Sequence, residues 1–247
     1  MKALNFLCML FISFSPLCAV QSDTIPSEHP GFREYVTERE ALVDEIANYK
    51  GITINDKRIL EVLTRVPRHR FIPLELWPWA YHNNPLPIGY DQTISQPVIV
   101  ASMTQLLDVR EGEKILEIGT GSGYQAAVLA EMGSLVYTIE IVPELGKRSK
   151  MVLEDLGYKN VKVKVGDGYE GWKEHAPYDK IIVTCAPEQV PQPLIDLLSP
   201  DGKIVIPVGG VNELQYLLVL KFNKKGKLTK QYQYPVRFVP MTGKAQE

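Results

Sequence analysis

The sequence predicts a doubly wound α/β fold with a mostly parallel sheet and an N-terminal helical cap. Three observations carry that expectation. From residue 98 onward short apolar strands alternate with helical segments, a glycine-rich turn (Gly119 to Gly123) follows the first of those strands, and upstream two helix-spaced segments precede a stretch rich in Pro and aromatic residues.

The chain has 247 residues, enough for one α/β domain with an extension and too short for two full domains. Residues 1–22 differ from the rest: Lys2, an apolar run over 3–14 broken only by Asn5 and Ser13, then Ser15, Pro16, Leu17, Cys18 and Ala19. This reads as an export leader, since the run is short for a membrane span of roughly 20 residues. A buried N-terminal helix is the alternative reading. Residues 23–34 suit a linker, and residues 35–247 form one domain, with 35–97 as cap and substrate loop and 98–247 as the cofactor-binding core.

Apolar spacing over 35–49 predicts a first helix, and Asn55 or Asp56 can cap a second that runs to Val66 and stops at Pro67. Residues 71–97 are irregular and long for a loop, which points to function, while their bulky apolar side chains argue against disorder. Regular elements follow: helix 98–107, strand 114–118, helix 124–132, strand 135–139, helix 143–156, strands 161–165 and 180–184, helix 193–198, and strands 202–207 and 215–221. Alternation of this kind gives a parallel sheet covered on both faces.

Composition excludes several functions. With 27 basic and 29 acidic side chains there is no field to gather nucleic acid or coat a membrane. Cys8 and Cys18 lie in the leader, so a processed chain keeps only Cys185 and forms no internal disulfide; Leu17 is too bulky for lipid attachment at Cys18. His29, His69, His82 and His175 show no metal-ligand spacing, and no metal is expected.

The cofactor is read from the turn. In open α/β sheets the first strand-to-helix turn forms the floor of the ligand site. Gly119, Gly121 and Gly123, with Thr120 between, allow close approach, yet Tyr124 stands where a dinucleotide fingerprint needs its last glycine, and no P-loop lysine follows. Glu117, at the strand end, would repel a pyrophosphate but suits a ligand carrying a sulfonium and an ammonium group. Glu140, beside Ile141, ends the second strand and can accept both ribose hydroxyls, while Asp167, with Gly168, can meet an adenine amino group after the third. Each carboxylate singly has a bland alternative as a surface or turn charge. Together they indicate S-adenosyl-L-methionine and a Rossmann-like sheet of the methyltransferase type.

Beyond the cofactor, residues 66–73 (VPRHRFIP), 86–89 (LPIG), 92–97 (QTISQP), 116–124 (LEIGTGSGY), 166–168 (GDG), 179–184 (DKIIVT) and 237–240 (RFVP) resemble the protein-L-isoaspartate (D-aspartate) O-methyltransferase family, over most of 56–240. The QTISQP block separates this family from methyltransferases in general. The resemblance implies that Ser95 is the catalytic residue, that isoaspartyl proteins and peptides are the substrates, that the product ester closes to a succinimide in a repair route, and that the enzyme is cytoplasmic. The leader conflicts with that location and leaves a periplasmic or secreted protein as the alternative. A monomer without stable membrane association is expected.

The residues agree with this role. An isoaspartyl α-carboxylate is already ionised at neutral pH, so placement and desolvation matter more than a strong base. Ser95 can orient the carboxylate, or it can merely cap the helix near Pro97. Thr93 and Ile94, Thr184 and Ala186, and Phe238 and Val239 are the expected walls for an extended peptide main chain, although 236–240 can instead be a terminal strand. Trp77, Trp79, Tyr81 and His82 form either a lid or buried packing. A DNA amino-methylating enzyme is disfavoured because Thr184, Cys185, Ala186 and Pro187 replace the Asn/Asp-Pro-Pro-aromatic run. A small-molecule methyltransferase and a peptide-binding module without turnover remain as rivals.

Overall fold

The computed structural model describes residues 29–246, so the leader and the first half of the expected linker lie outside the described residues. Residues 29–34 pack onto the fold: the Phe32 carbonyl accepts from the buried Arg39 guanidinium at 2.6 Å, and the same side chain donates to the Arg65 carbonyl at 2.8 Å.

A 3-10 turn (Pro30–Arg33) opens the described chain and two helices follow, α1 (Val36–Ala47) and α2 (Lys57–Arg65). Asp56 is the α2 cap, its carboxylate accepting from the Arg58 amide at 3.0 Å. The long segment that follows is not a bare loop. It holds two 3-10 turns (Arg68–Phe71 and Leu74–Trp79) and a hairpin of β1 (Leu86–Gly89) and β2 (Gln92–Ile94). Arg68, fully buried, staples this segment together by donating to the carbonyls of Ala80 at 2.9 Å and Asn84 at 3.2 Å while its guanidinium lies 5.0 Å over the Tyr124 ring. Such a buried cation persists because carbonyls and an aromatic face replace its water.

The α/β core then runs α3 (Pro97–Leu107), β3 (Lys114–Ile118), α4 (Tyr124–Glu131), β4 (Leu135–Glu140), α5 (Pro143–Asp155), β5 (Val161–Val165), β6 (Tyr178–Val183), α6 (Gln192–Asp196), β7 (Leu198–Val208), β8 (Gln215–Phe222) and β9 (Leu228–Val236). The sheet order is β5-β4-β3-β6-β7-β8-β9, with the first five strands parallel and the last two antiparallel. Chain order reverses between β3 and β6, which places the ligand crevice beyond their carboxyl ends.

Successive strand residues face opposite ways. Ile115, Val136, Ile182 and Val205 join the cluster built with α1 to α5, whereas Leu116, Ile139, Ile181 and Ile204 join Leu194 and Met241 on the other face. The N-terminal cap therefore shares one continuous hydrophobic cluster with the sheet.

Besides the β1–β2 hairpin, the sequence expectation missed one strand of the main sheet. β9 carries Lys230, Gln231, Tyr232 and Gln233 in its exposed middle and Pro235 near its end, so it lacks apolar alternation. It forms because it is an edge strand, where a proline costs no ladder bond on the open side. β7 also starts earlier than expected, at Leu198, and α6 is correspondingly shorter.

Candidate active site

The glycine turn is held from below by β4. The Gly119 and Thr120 amides both donate to the Ile139 carbonyl, at 2.9 and 3.1 Å, and the Thr120 and Thr138 hydroxyls pair at 2.6 Å. Gly119 itself has no alternative: its φ is +92°, and a Cβ there would sit 2.5 Å from Thr184 Oγ1. The Thr184 hydroxyl donates to the Gly119 carbonyl at 2.6 Å, locking the end of β6 to the turn.

Above the turn lies a cavity whose wall includes Glu117, Gly119, Thr120, Gly121, Tyr124, Glu140, Ile141 and Gly168 from the core, and Thr93, Ile94 and Ser95 from the upstream hairpin, with Thr184 and Val239. Two pieces of chain far apart in sequence thus enclose one space. The hairpin is pinned there by Arg148 of α5, which donates to the Ile88 carbonyl at 2.6 Å.

Glu117 is fully buried, and neither of its carboxylate oxygens has a hydrogen-bond partner among the described residues. Burial pushes its carboxyl up to about 8, and the Glu140 carboxylate adds to the rise. An orphaned acid in a cavity wall is a site built to meet a cation, because a neighbouring positive charge restores the ionised form. Glu140 is more fully engaged: it accepts from the Gly121 amide at 2.7 Å and the Val142 amide at 2.9 Å, and its oxygens retain lone pairs for further donors. The residues present therefore fit a cofactor with a cationic amino-acid end and a ribose.

Four expected site residues do not line this cavity. Gly123 begins α4, where a Cβ would meet Ser149 and Leu153 of α5 rather than the ligand space. Asp167 accepts from the amides of Tyr169 and Lys244, both at 2.9 Å, so the C-terminal turn (Gly243–Gln246) rests on it. The Ala186 amide donates to the Val239 carbonyl and the Ala186 carbonyl accepts from the Met241 amide, both at 2.8 Å. Phe238 has its amide and carbonyl taken by the Gln215 side chain at 2.6 and 3.2 Å. The stretch around 238–240 is therefore tied to its own chain, and the Phe238 and Ala186 backbone groups expected to grip a peptide are already spent. Phe238 borders a second cavity instead. Tyr124 reaches the first cavity, but its ring is buried against Phe71.

Ser95 is half-buried and borders both cavities. It does not cap α3. The cap residue is Gln96, and the first turn is satisfied by Asn83, whose side-chain oxygen accepts from the Val98 amide at 3.1 Å while Gln96 donates to the Asn83 carbonyl at 2.8 Å. Of the two roles open to the aromatic segment, packing holds for Trp77 and Tyr81, which cluster with Tyr35 and His69, whereas Trp79 and His82 are exposed; none of the four borders either cavity. Met241 and Thr242 line the first cavity without having been anticipated, and Cys185, within the expected wall that begins at Thr184, lines it as well. Burial pushes the Cys185 thiol up to about 12, so it presents a neutral sulfur there.

A family model described as protein-L-isoaspartate(D-aspartate) O-methyltransferase matches residues 37–246. The chain belongs to that family. A protein-L-isoaspartate O-methyltransferase of Gloeobacter violaceus is 53% identical over 201 residues, 81% of this chain and 97% of that protein. A second, from Polaromonas, is 51% identical over 206 residues, 83% of this chain and 98% of its own length. Among solved structures, a β-aspartate methyltransferase from Plasmodium falciparum in complex with S-adenosyl-L-homocysteine superposes with a TM-score of 0.72 at 26% identity, covering 83% of this chain and 98% of that one. The chain is an S-adenosylmethionine-dependent methyltransferase with the expected Rossmann-like fold. Among the described residues no helix is long and apolar enough to cross a membrane, and no cluster of His, Cys, Asp and Glu could hold a metal.

Proposed function

We propose that the chain methylates the free α-carboxylate of L-isoaspartyl residues in damaged proteins and peptides, with Ser95 as the catalytic residue. The observation that carries this reading is that Ser95 and the unpaired Glu117 border the same cavity, with the Ser95 hydroxyl free of helix capping.

Bound S-adenosylmethionine supplies an electrophilic methyl group on a sulfonium. Glu117 and Glu140 would hold the cofactor's cationic end and ribose, and Gly119, Thr120, Gly121 and Gly168 would shape the floor; Asp167, outside the cavity wall and holding the Tyr169 and Lys244 amides, keeps its assignment to the adenine end only as a proposal. Ser95 would donate a hydrogen bond to one oxygen of the substrate carboxylate and leave the other free to take the methyl group. No proton has to be removed, because the acceptor is ionised at neutral pH. The protein's contribution is placement and exclusion of water. Thr93 and Ile94 offer the open edge of β2 to an extended peptide, since β1 occupies only the other edge. The ester then closes to a succinimide without further help.

We place the enzyme in the cytoplasm as a monomer, where the cofactor is made, with export through the leader as the alternative. N-terminal sequencing with fractionation distinguishes them: a mature terminus near Val20 or Asp23 outside the cytoplasm contradicts the first. For the mechanism, Ser95→Ala is expected to lower kcat by at least about tenfold while leaving cofactor affinity in place. Unchanged turnover would remove Ser95 from its assigned role.

A further inference from the structure

A second cavity of about 520 Å³ opens on the far side of Ser95. Its volume falls in the range of ligand sites, roughly 300–1,000 Å³, and exceeds what one reacting carboxylate needs. Tyr49 and Ile52 contribute from the connection between α1 and α2, Ile99 from α3 and Tyr234 from β9, so this part of the wall is aromatic and aliphatic, while Thr93, Ser95, Gln96 and Thr184 make the side toward the first cavity polar. Arg237 is the sole charged residue among those that line it.

This space is built rather than incidental. Gln105 of α3 clamps the α1–α2 connection: its side-chain oxygen accepts from the amides of Asn55 at 2.6 Å and Asp56 at 3.1 Å, and its nitrogen donates to the Thr53 carbonyl at 2.8 Å. That fixes the segment carrying Ile52 against α3. On the other wall the Tyr234 hydroxyl meets the Ser102 hydroxyl at 2.5 Å, which ties β9 to the same helix. Both walls are thus held by one element, and that element begins two residues after Ser95.

We propose that this cavity is the subsite for the residue flanking the isoaspartate, and that it selects an aromatic or large aliphatic side chain over a small one and an acidic side chain over a basic one. The inference rests on Ser95 marking the reacting carboxylate, because the two cavities meet there together with Thr93 and Thr184. An extended peptide whose carboxylate enters the first cavity must leave an adjoining residue at the mouth of the second. The apolar walls reward burial of hydrocarbon, and Arg237 at the rim repels a second cation.

The test uses the full-length protein, S-adenosylmethionine carrying a tritiated methyl group, and isoaspartyl peptides differing only at the flanking position, on either side in turn, with Gly, Leu, Phe, Asp or Lys. On one side kcat/KM is expected to be at least about tenfold higher for Phe or Leu than for Gly, with the difference in KM, and higher for Asp than for Lys. Tyr49→Ala and Ile52→Ala should each shrink the Phe-to-Gly ratio, and Arg237→Gln should shrink the Asp-to-Lys ratio; these ratios do not move when a variant merely folds less well. Equal kcat/KM for all flanking residues on both sides, or ratios that survive the three substitutions, would overturn the subsite while leaving the methyltransferase reading intact. Absence of transfer to every isoaspartyl peptide would instead remove that reading, and the subsite with it.

Discussion

The side-chain oxygen of Asn83 accepts the amide proton of Val98 at 3.1 Å, so the first turn of α3 is closed by the irregular segment upstream and not by the adjacent Ser95. Loss of a capping side chain costs about 1 kcal/mol, typically 0.5–2. Asn83→Ala is therefore expected to lower unfolding stability by about that much, whereas Ser95→Ala should lower turnover with little change in stability. Denaturant titration of both variants beside methyl-transfer assays checks the pair. Equal stability losses would mean that Ser95 also serves the helix.

Glu117 links stability to cofactor binding. Its folded-state carboxyl lies at about 8, above the ordinary value of 4.5, so between those limits the folded state holds a proton that the unfolded chain has lost. This contribution is complete below about 4.5 and is lost as pH rises through about 8, at most ~1.4 kcal/mol per pH unit. Glu117→Gln should accordingly gain stability relative to the parent across that window and level off above it. Cofactor affinity should behave oppositely: in the parent it strengthens as pH approaches 8, and in the Gln variant it is weaker and nearly flat. Calorimetry from pH 5 to 9 reads both trends, and a pH-independent parent affinity would contradict the assignment.

At Gly119 a single methyl group is expected to be costly. With φ at +92° and Thr184 Oγ1 only 2.5 Å from an added Cβ, Gly119→Ala must move the turn or break the Thr184 tie. Cofactor affinity should fall by about tenfold or more, measured by titration with S-adenosyl-L-homocysteine. Affinity within about twofold of the parent would show that the turn can shift freely.

Besides the proposed contact to the adenine end, Asp167 holds two amides, those of Tyr169 and Lys244, both at 2.9 Å. Asp167→Ala removes all three contacts, while Lys244→Pro removes only the Lys244 amide donor. The account predicts that Asp167→Ala weakens cofactor binding clearly more than Lys244→Pro does. Equal losses would mean that Asp167 acts only by seating the C-terminal turn.

How far the sequence could be read depended on the period and reach of each signal. β3 and β5 were legible to the residue, β3 as a short, mainly apolar run and β5 by strict Val/Lys alternation, because five-residue strands bounded by turn residues leave few registers. The glycine turn and Glu117 were legible because spacing distinguishes one ligand chemistry from another. β9 was not, since an edge strand made of Lys, Gln and Tyr with a proline has no periodic signature. The roles of Asn83 and Gln105 were hidden for a different reason: each satisfies backbone groups 15 and about 50 positions away, and nothing local marks the partner. The Phe238 and Ala186 backbone looked available for a peptide, and only the fold reveals that Gln215 and the segment around Val239 to Met241 already occupy it.

The central claim is that the carboxylate set beside Ser95 belongs to an isoaspartyl residue. Its most direct test is tritiated methyl transfer to two peptides of one sequence, one with L-isoaspartate and one with L-aspartate at the same position. The account predicts saturable transfer to the first and none above background to the second; equal rates on both, or transfer to neither, would contradict it.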